Sequence, residues 1–83
     1  MTKLAITNTK YWTDANGAKV KQVEHMTCTI TKEDANWVCF DVDAIDSVEN
    51  AAPFYEATRG GALFKRFLNN YEGKVGMMTV ALA

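Results

Sequence analysis

The sequence has few of the residues that catalysis and metal binding most often use: among 83 residues there are one histidine and two cysteines. Any Ser–His or Cys–His catalytic pair would have to include His25. Two thiols and one imidazole cannot complete a four-ligand zinc site, and Cys28 and Cys39 are not spaced as a CxxC redox pair. The composition therefore predicts a non-enzymatic protein with no cofactor and no metal site.

Long apolar runs are also missing, and the longest extend over only a few residues. A membrane-spanning helix needs about 20 such residues in succession, and a signal peptide about 7–15 near the N-terminus. We therefore expect a cytoplasmic protein with no membrane partner. The length predicts a single domain over residues 1–83, and 48% hydrophobic residues are enough to form a core.

Positive charge is absent from the middle of the chain. Residues 1–32, 33–58 and 59–83 carry formal charges of +3, −7 and +3. Such a blocked distribution favours a protein partner with a basic surface, or copies of the chain that associate head to tail. The seven acids of the middle segment are Glu33, Asp34, Asp41, Asp43, Asp46, Glu49 and Glu56.

The first half of the sequence has the period of β-strands. Turn signals lie at residues 14–17 and 32–36, and apolar residues alternate between them. A three-residue loop at 15–17, with Gly17 in the left-handed region, pairs core residues with core residues. That register sets Leu4 opposite Cys28, Ile6 opposite Met26 and Trp12 opposite Val20; the second hairpin then sets Ile30 opposite Val38, Cys28 opposite Phe40 and Met26 opposite Val42. Cys28 and Cys39 fall on opposite faces, which predicts no disulfide.

The second half changes period. Pro53 is a natural first-turn residue, so we predict a short helix from Pro53 to about Thr58, broken by Gly60-Gly61. A second helix is predicted from Ala62, ending near Gly73, and residues 74–83 are predicted to form a fourth strand whose place in the sheet is left open. The expected fold is α+β, with element order βββααβ and one or two helices on one face of a small antiparallel sheet. Its expected core includes Ile6, Met26, Phe40, Phe64 and Phe67.

One short motif invites a catalytic interpretation. The segment Trp37-Val-Cys-Phe-Asp41-Val-Asp43-Ala-Ile45, an apolar strand that ends in DxD, resembles the nucleophile motif of haloacid-dehalogenase-type phosphatases. The resemblance covers nine residues, whereas those enzymes need a much larger domain, a downstream lysine and further acids. We therefore interpret Asp41 and Asp43 as solvated polar positions of a strand whose other face is apolar.

The sequence thus predicts a small interaction protein, an inhibitor or adaptor of the kind that phages and mobile elements also encode. Its acidic patch would contact the partner, or would imitate nucleic-acid phosphates to cover a basic groove. The outer sheet face around Trp37 is an open alternative surface. A nucleic-acid-binding module is the alternative function, although its pI of about 5.7 is low for that class. The predicted contact residues are Asp41, Asp43, Asp46, Glu49 and Trp37, and for nucleic acid Arg59, Lys65, Arg66 and the N-terminal lysines, with Tyr11 or Trp12 stacking on bases.

Overall fold

The computed structural model describes residues 2–83, which form seven strands and one short 3₁₀ helix. The α+β prediction is therefore wrong, because the described chain has no α-helix. The elements are β1 (Lys3–Thr13), β2 (Lys19–Glu33), β3 (Trp37–Glu49), β4 (Gly60–Phe64), the 3₁₀ helix (Lys65–Phe67), β5 (Leu68–Asn69), β6 (Glu72–Val75) and β7 (Met78–Leu82).

All seven strands belong to one antiparallel sheet with the order β4-β3-β2-β1-β7-β6-β5. The strands β1, β2 and β3 are 11, 15 and 13 residues long, which makes the molecule elongated, 44 × 22 × 16 Å. One face, here called the inner face, carries the buried core. The core residues are Leu4, Ile6, Met26, Cys28, Phe40, Leu63 and Val80.

The first hairpin has the predicted register. Leu4 lies opposite Cys28, Ile6 opposite Met26 and Trp12 opposite Val20. The Asp14 N–H donates to the Ala18 carbonyl at 2.9 Å, and Gly17 has a φ of 80°. The three-residue loop is therefore confirmed, and glycine suits the position because a side chain would strain this left-handed backbone.

The second hairpin keeps the predicted faces, but its register prediction is wrong. Ile30 lies opposite Phe40, Cys28 opposite Val42 and Met26 opposite Ile45. The cause is a tighter turn, in which the Asp34 carboxylate accepts hydrogen bonds from the backbone N–H groups of Asn36 and Trp37, both at 2.8 Å. The turn shifts the register by three residues, as in the pairing of Glu33 with Val38, and the unpaired Thr31 reduces the shift to two at Ile30 and Cys28. A shift by two preserves the side-chain parity of a strand, so the same residues still point inward.

Irregularities between β2 and β3 explain why the sheet curls. The pairing passes over Asp43 and Asp46 in β3 and over Thr31 in β2. Each of these β-bulges adds a residue to one strand without a partner on the other, which bends the strand and increases its twist. Asp43 and Asp46 bond outer-face threonines, so the outer face of β3 is longer than its inner face.

Neither predicted helix is present in the second half of the chain. Residues 50–59, here called the crossing segment, contain a turn but no helix. The end of β4, the 3₁₀ helix and β5 take the place of most of the second helix. Gly60 is required beside β3, because a Cβ there would lie 2.7 Å from the Phe40 carbonyl oxygen. Asn70 and Tyr71 form a tight turn with φ of 55° and 64°, which reverses the chain between β5 and β6.

The predicted C-terminal strand is a hairpin, β6 and β7, and β7 pairs with β1. The core prediction is correct for Ile6, Met26 and Phe40 but wrong for two aromatics, since Phe64 and Phe67 are 37% and 48% exposed. Cys28 is buried and Cys39 half-buried, both are free, and the predicted opposite faces are confirmed. No helix within residues 2–83 has the length and apolar character to cross a membrane.

Two phenylalanines test this assignment of the core. Phe40 is 2% exposed at the centre of the inner face, so Phe40→Ala should lower the free energy of unfolding by about 3–5 kcal/mol. Phe67 has no such environment, and Phe67→Ala should cost less than about 1 kcal/mol. Urea unfolding of the two variants measures the difference; equal losses would contradict this assignment of the faces.

Candidate functional site

The predicted acidic residues form a continuous row on the outer face of β3. Asp41 and Asp43 share the outward parity of the strand, and the bulge at Asp43 brings Asp46 to the same face. Glu49 completes the row at the end of the strand. We call Asp41, Asp43, Asp46 and Glu49 the acidic row.

Three members of the acidic row have partners from neighbouring strands. Asp43 accepts hydrogen bonds from Thr29 and from Lys3, whose Nζ lies 2.9 Å from its carboxylate. These bonds, that of Thr29 first, lower the pKa of Asp43. Asp46 accepts a hydrogen bond from Thr27 at 2.9 Å. The sequence showed no base near these acids, but β1 brings Lys3 to Asp43 across β2.

His25 lies between a hydroxyl group and a carboxylate, an arrangement that sequence reasoning missed. The Nε2 atom of His25 is 3.0 Å from Glu49, and Nδ1 is 3.4 Å from the Thr7 hydroxyl. This order of groups is similar to that of a hydrolytic triad. The three residues lie on the outer face and line neither of the two main clefts. We therefore assign the group to the polar surface of the sheet.

Trp37 belongs to a partly exposed aromatic cluster at the opposite end of β3. Its ring stacks on Phe64 with centroids 3.9 Å apart, and Phe67 meets Phe64 edge-on at 6.2 Å. The Arg66 guanidinium lies 5.1 Å and 4.8 Å from the centroids of these two phenylalanines. A cleft of about 460 Å³ adjoins the cluster and is lined by Phe64, Arg66 and Tyr71 among others.

The basic residues predicted for nucleic-acid binding are not gathered in one groove. Lys65 is 3.4 Å from Glu33, and Lys3 is paired with Asp43. Lys10 reaches the inner face, where its Nζ lies 2.8 Å from Glu24. Arg59 and Arg66 are separated by the whole length of β4.

The least expected polar group is Glu24, whose side chain is completely buried on the inner face of β2. The Tyr55 hydroxyl donates to its carboxylate at 2.7 Å, and the Thr58 backbone N–H and hydroxyl donate at 3.1 and 3.0 Å. Lys10 supplies the charge, and the Asn8 side-chain amide donates at 3.4 Å. Glu24 therefore ties the crossing segment to the sheet.

The electrostatics of this network follow from those contacts. Burial alone raises the pKa of Glu24, but Lys10 and the donors from Thr58 and Tyr55 outweigh it and lower the pKa to about 2. Burial and the bond to Glu24 raise the pKa of Tyr55 to about 12. A sequence signal was present, because Gln22 and Glu24 interrupt the apolar parity between Val20 and Met26.

A second cleft, of about 710 Å³, lies between the closed end of the first hairpin and the crossing segment. Four aromatic residues contribute to its lining, and we call it the aromatic cleft. The Phe54 side chain is 95% exposed, and the indole Nε1 of Trp12 is buried without a hydrogen-bond partner among residues 2–83. The principal lining residues are Tyr11, Trp12, Gln22, Pro53, Phe54 and Tyr55.

Within the described residues, no group of three or more histidine, cysteine, aspartate or glutamate side chains is arranged to hold a metal ion. The carboxylates of the acidic row are spread along a strand, and those of Asp43, Asp46 and Glu49 are bonded to neighbouring side chains. The surface therefore carries negative charge on the outer face, and aromatic side chains at two separate ends of the sheet.

The depressed pKa of Glu24 makes stability depend on pH. Its stabilisation is fully present above the ordinary pKa of 4.5 and is lost as pH falls towards its folded-state pKa of about 2. Glu24→Gln should lose about 2–3 kcal/mol of unfolding free energy at pH 7, and the deficit should shrink between pH 5 and pH 2. Urea unfolding across that range measures it. The exposed control Glu72→Gln should run parallel to the wild type, and a pH-independent deficit in Glu24→Gln would contradict the assignment.

Function must be inferred from the geometry of the chain, because comparison with known proteins gives no relative. No protein-family model, no curated protein and no solved structure matches this chain.

Proposed function

We propose that this protein is a non-enzymatic interaction protein that binds a basic surface of a macromolecular partner through the acidic row. The single observation that carries the proposal is the pair of bulges in β3. In a regular strand Asp43 and Asp46 would point to opposite faces, whereas the bulges place both beside Asp41 and Glu49. Four carboxylates thus share one convex surface.

The carboxylates of the acidic row retain charge for a partner. Asp41 and Asp46 are exposed and form no ion pair within the described chain, and Asp46 is bonded only to a neutral threonine. The Glu49 side chain is 63% exposed. Exposed charges contribute little to folding, with surface pairs worth about 0–1 kcal/mol, but across an interface they steer encounter and fix orientation.

The edge of β3 adds to the availability of this surface. Pairing with β4 ends at Asp41, so no strand lies beside residues 43–49 on that side. Acids and bulges on an open edge discourage pairing with other strands, which protects the surface from aggregation. A partner would therefore meet this surface through side chains.

The aromatic cluster supports a second candidate function, the binding of single-stranded nucleic acid. Trp37, Phe64 and Phe67 are partly exposed, and Arg66 lies against two of the rings. Bases stack on such platforms, with each stack worth about 1–3 kcal/mol. The cations that would follow the phosphate backbone are mostly bonded to acids, so we rank this function second.

Crosslinking in cells tests the main proposal. A photoreactive phenylalanine at Ser47, on the outer face between Asp46 and Glu49, should capture a discrete partner in cells of the source organism. Asp41→Asn with Asp46→Asn should weaken capture, most strongly at low salt, because the charges act over the Debye length. Mass spectrometry of the adduct should identify a protein with a basic contact surface.

A matched pair of substitutions provides the control. Glu56→Gln with Glu72→Gln changes the net charge equally but lies away from the acidic row, and should leave capture unchanged. Equal capture by both double variants at every salt concentration would contradict the proposal. A salt-dependent shift of labelled single-stranded DNA or RNA, abolished by Arg66→Ala, would instead support the second candidate.

A further inference from the structure

The sheet leaves a second open edge, on β1. In an antiparallel strand, alternate residues direct their backbone groups to opposite neighbours. The Lys3 carbonyl accepts a hydrogen bond from the Ala83 N–H, just after β7, and the Thr9 N–H donates to the Met77 carbonyl, just before it. The Asp14 N–H donates instead to the Ala18 carbonyl across the hairpin. The backbone groups of odd-numbered β1 residues therefore point towards β7, but β7 pairs with β1 only as far as Asn8. Tyr11 and Thr13 direct their N–H and C=O groups to an edge that no described strand occupies.

The two open edges differ in a way that indicates different uses. The open edge of β3 carries two bulges and three acids, which oppose strand pairing. The pairing of β1 with β2 is regular from Lys3 to Thr13, so the open edge at Tyr11 and Thr13 has no bulge. No acidic residue occurs in β1 at all. This second edge is suited to accept another strand.

The aromatic cleft lies directly beside this edge. Trp12, between the two edge residues, points to the inner face and forms part of the cleft wall. A strand added beside β1 would point alternate side chains to the same face, and so into the cleft. The cleft volume of about 710 Å³ exceeds that of any single side chain, and its rings offer apolar contact.

Two polar groups in the cleft wall also have incomplete hydrogen bonding. Trp12 Nε1 is closed off from solvent and donates no hydrogen bond within residues 2–83. Gln22 is 2% exposed, and its carboxamide oxygen accepts only a long hydrogen bond, 3.4 Å, from the Ala52 N–H. A buried N–H group without a hydrogen-bond acceptor destabilises the protein. A ligand that displaces the atoms covering this N–H and offers it an acceptor would remove that destabilisation.

We propose that the β1 edge and the aromatic cleft together bind an extended peptide segment, which adds as a strand beside Tyr11 and Thr13 and inserts one large apolar side chain into the cleft. Recognition by strand addition takes its affinity from main-chain hydrogen bonds and its specificity from such pockets. This site lies at the end of the molecule away from the aromatic cluster and does not depend on the acidic row. It would therefore select a partner segment by its backbone and one side chain, not by its charge.

The pentapeptide acetyl-Thr-Thr-Phe-Thr-Thr-amide is a suitable probe. On saturation it should shift the Trp12 indole N–H resonance and slow hydrogen exchange of the Tyr11 and Thr13 amides, while the Trp37 indole stays unchanged. Replacement of its phenylalanine by alanine should weaken binding at least ten-fold. Two N-methylated forms of the peptide distinguish strand addition from hydrophobic adsorption. One form is methylated on the third amide, and the other on the second and fourth amides. Because alternate N–H groups of a strand point to opposite edges, the two forms block opposite edges of the peptide. One form should bind and the other should not.

Variants of the protein complete the test. Phe54→Ala should weaken binding at least ten-fold, whereas Phe67→Ala, an exposed phenylalanine far from the cleft, should not. Thr13→Pro removes an edge N–H that no described strand uses, so it should abolish binding but preserve the fold; Thr13→Ala should bind normally.

Three results would overturn the proposal. Equal binding of both N-methylated peptides would show that the cleft takes an apolar group without strand pairing. Shifts of Tyr11, Trp12 and Thr13 with protein concentration alone would show that a second copy of the chain occupies the edge. Absence of any saturable shift of the Trp12 indole up to the solubility limit of the probe would show that the cleft does not bind such a segment.

Discussion

The buried carboxylate of Glu24 is the interaction on which the second half of the molecule depends. Residues 50–59 have no regular secondary structure. Three hydrogen bonds from Tyr55 and Thr58 to this one carboxylate hold them against the sheet, and Lys10 and Gln22 add single bonds to the segment. A charge can be buried only when it is paired and hydrogen-bonded, and Lys10 meets that condition from β1. The crossing segment forms one wall of the aromatic cleft and connects β3 to β4.

The sequence predicts the first hairpin fully because two signals agree there. The alternation of Leu4, Ile6, Met26 and Cys28 requires one face, and the loop at Gly17 requires one register. In the second half the strands are two to five residues long, too short for an alternating pattern to be visible. The spacing of Leu63, Phe67 and Tyr71 then matches a helix, although these residues belong to β4, the 3₁₀ helix and the Asn70–Tyr71 turn. Tertiary pairing with β3 and β7 overrode the local pattern.

The candidate surface was predictable in composition but not in geometry. Counting parity along β3 places Asp46 on the wrong face, because bulges cannot be read from alternation. The partners of the acids were also beyond sequence reasoning, since Lys3 is 40 residues from Asp43 along the chain. Glu24 was overlooked for a related reason: its network is formed by residues 10, 55 and 58, which only the folded sheet brings together.

The pairing of β1 with β7 sets the order in which the sheet can be completed. These two strands lie near opposite ends of the described chain, yet they are neighbours at the centre of the sheet, and Val80 enters the same core as Leu4 and Ile6. Contacts between residues so distant in sequence require closure of a loop of about 75 residues, which slows folding relative to local pairing. During synthesis the first three strands can pair while one edge of β1 is still exposed along its whole length. The emerging protein therefore presents a long strand with one unpaired edge until residues 78–82 leave the ribosome, and this interval is when it most needs protection from other chains.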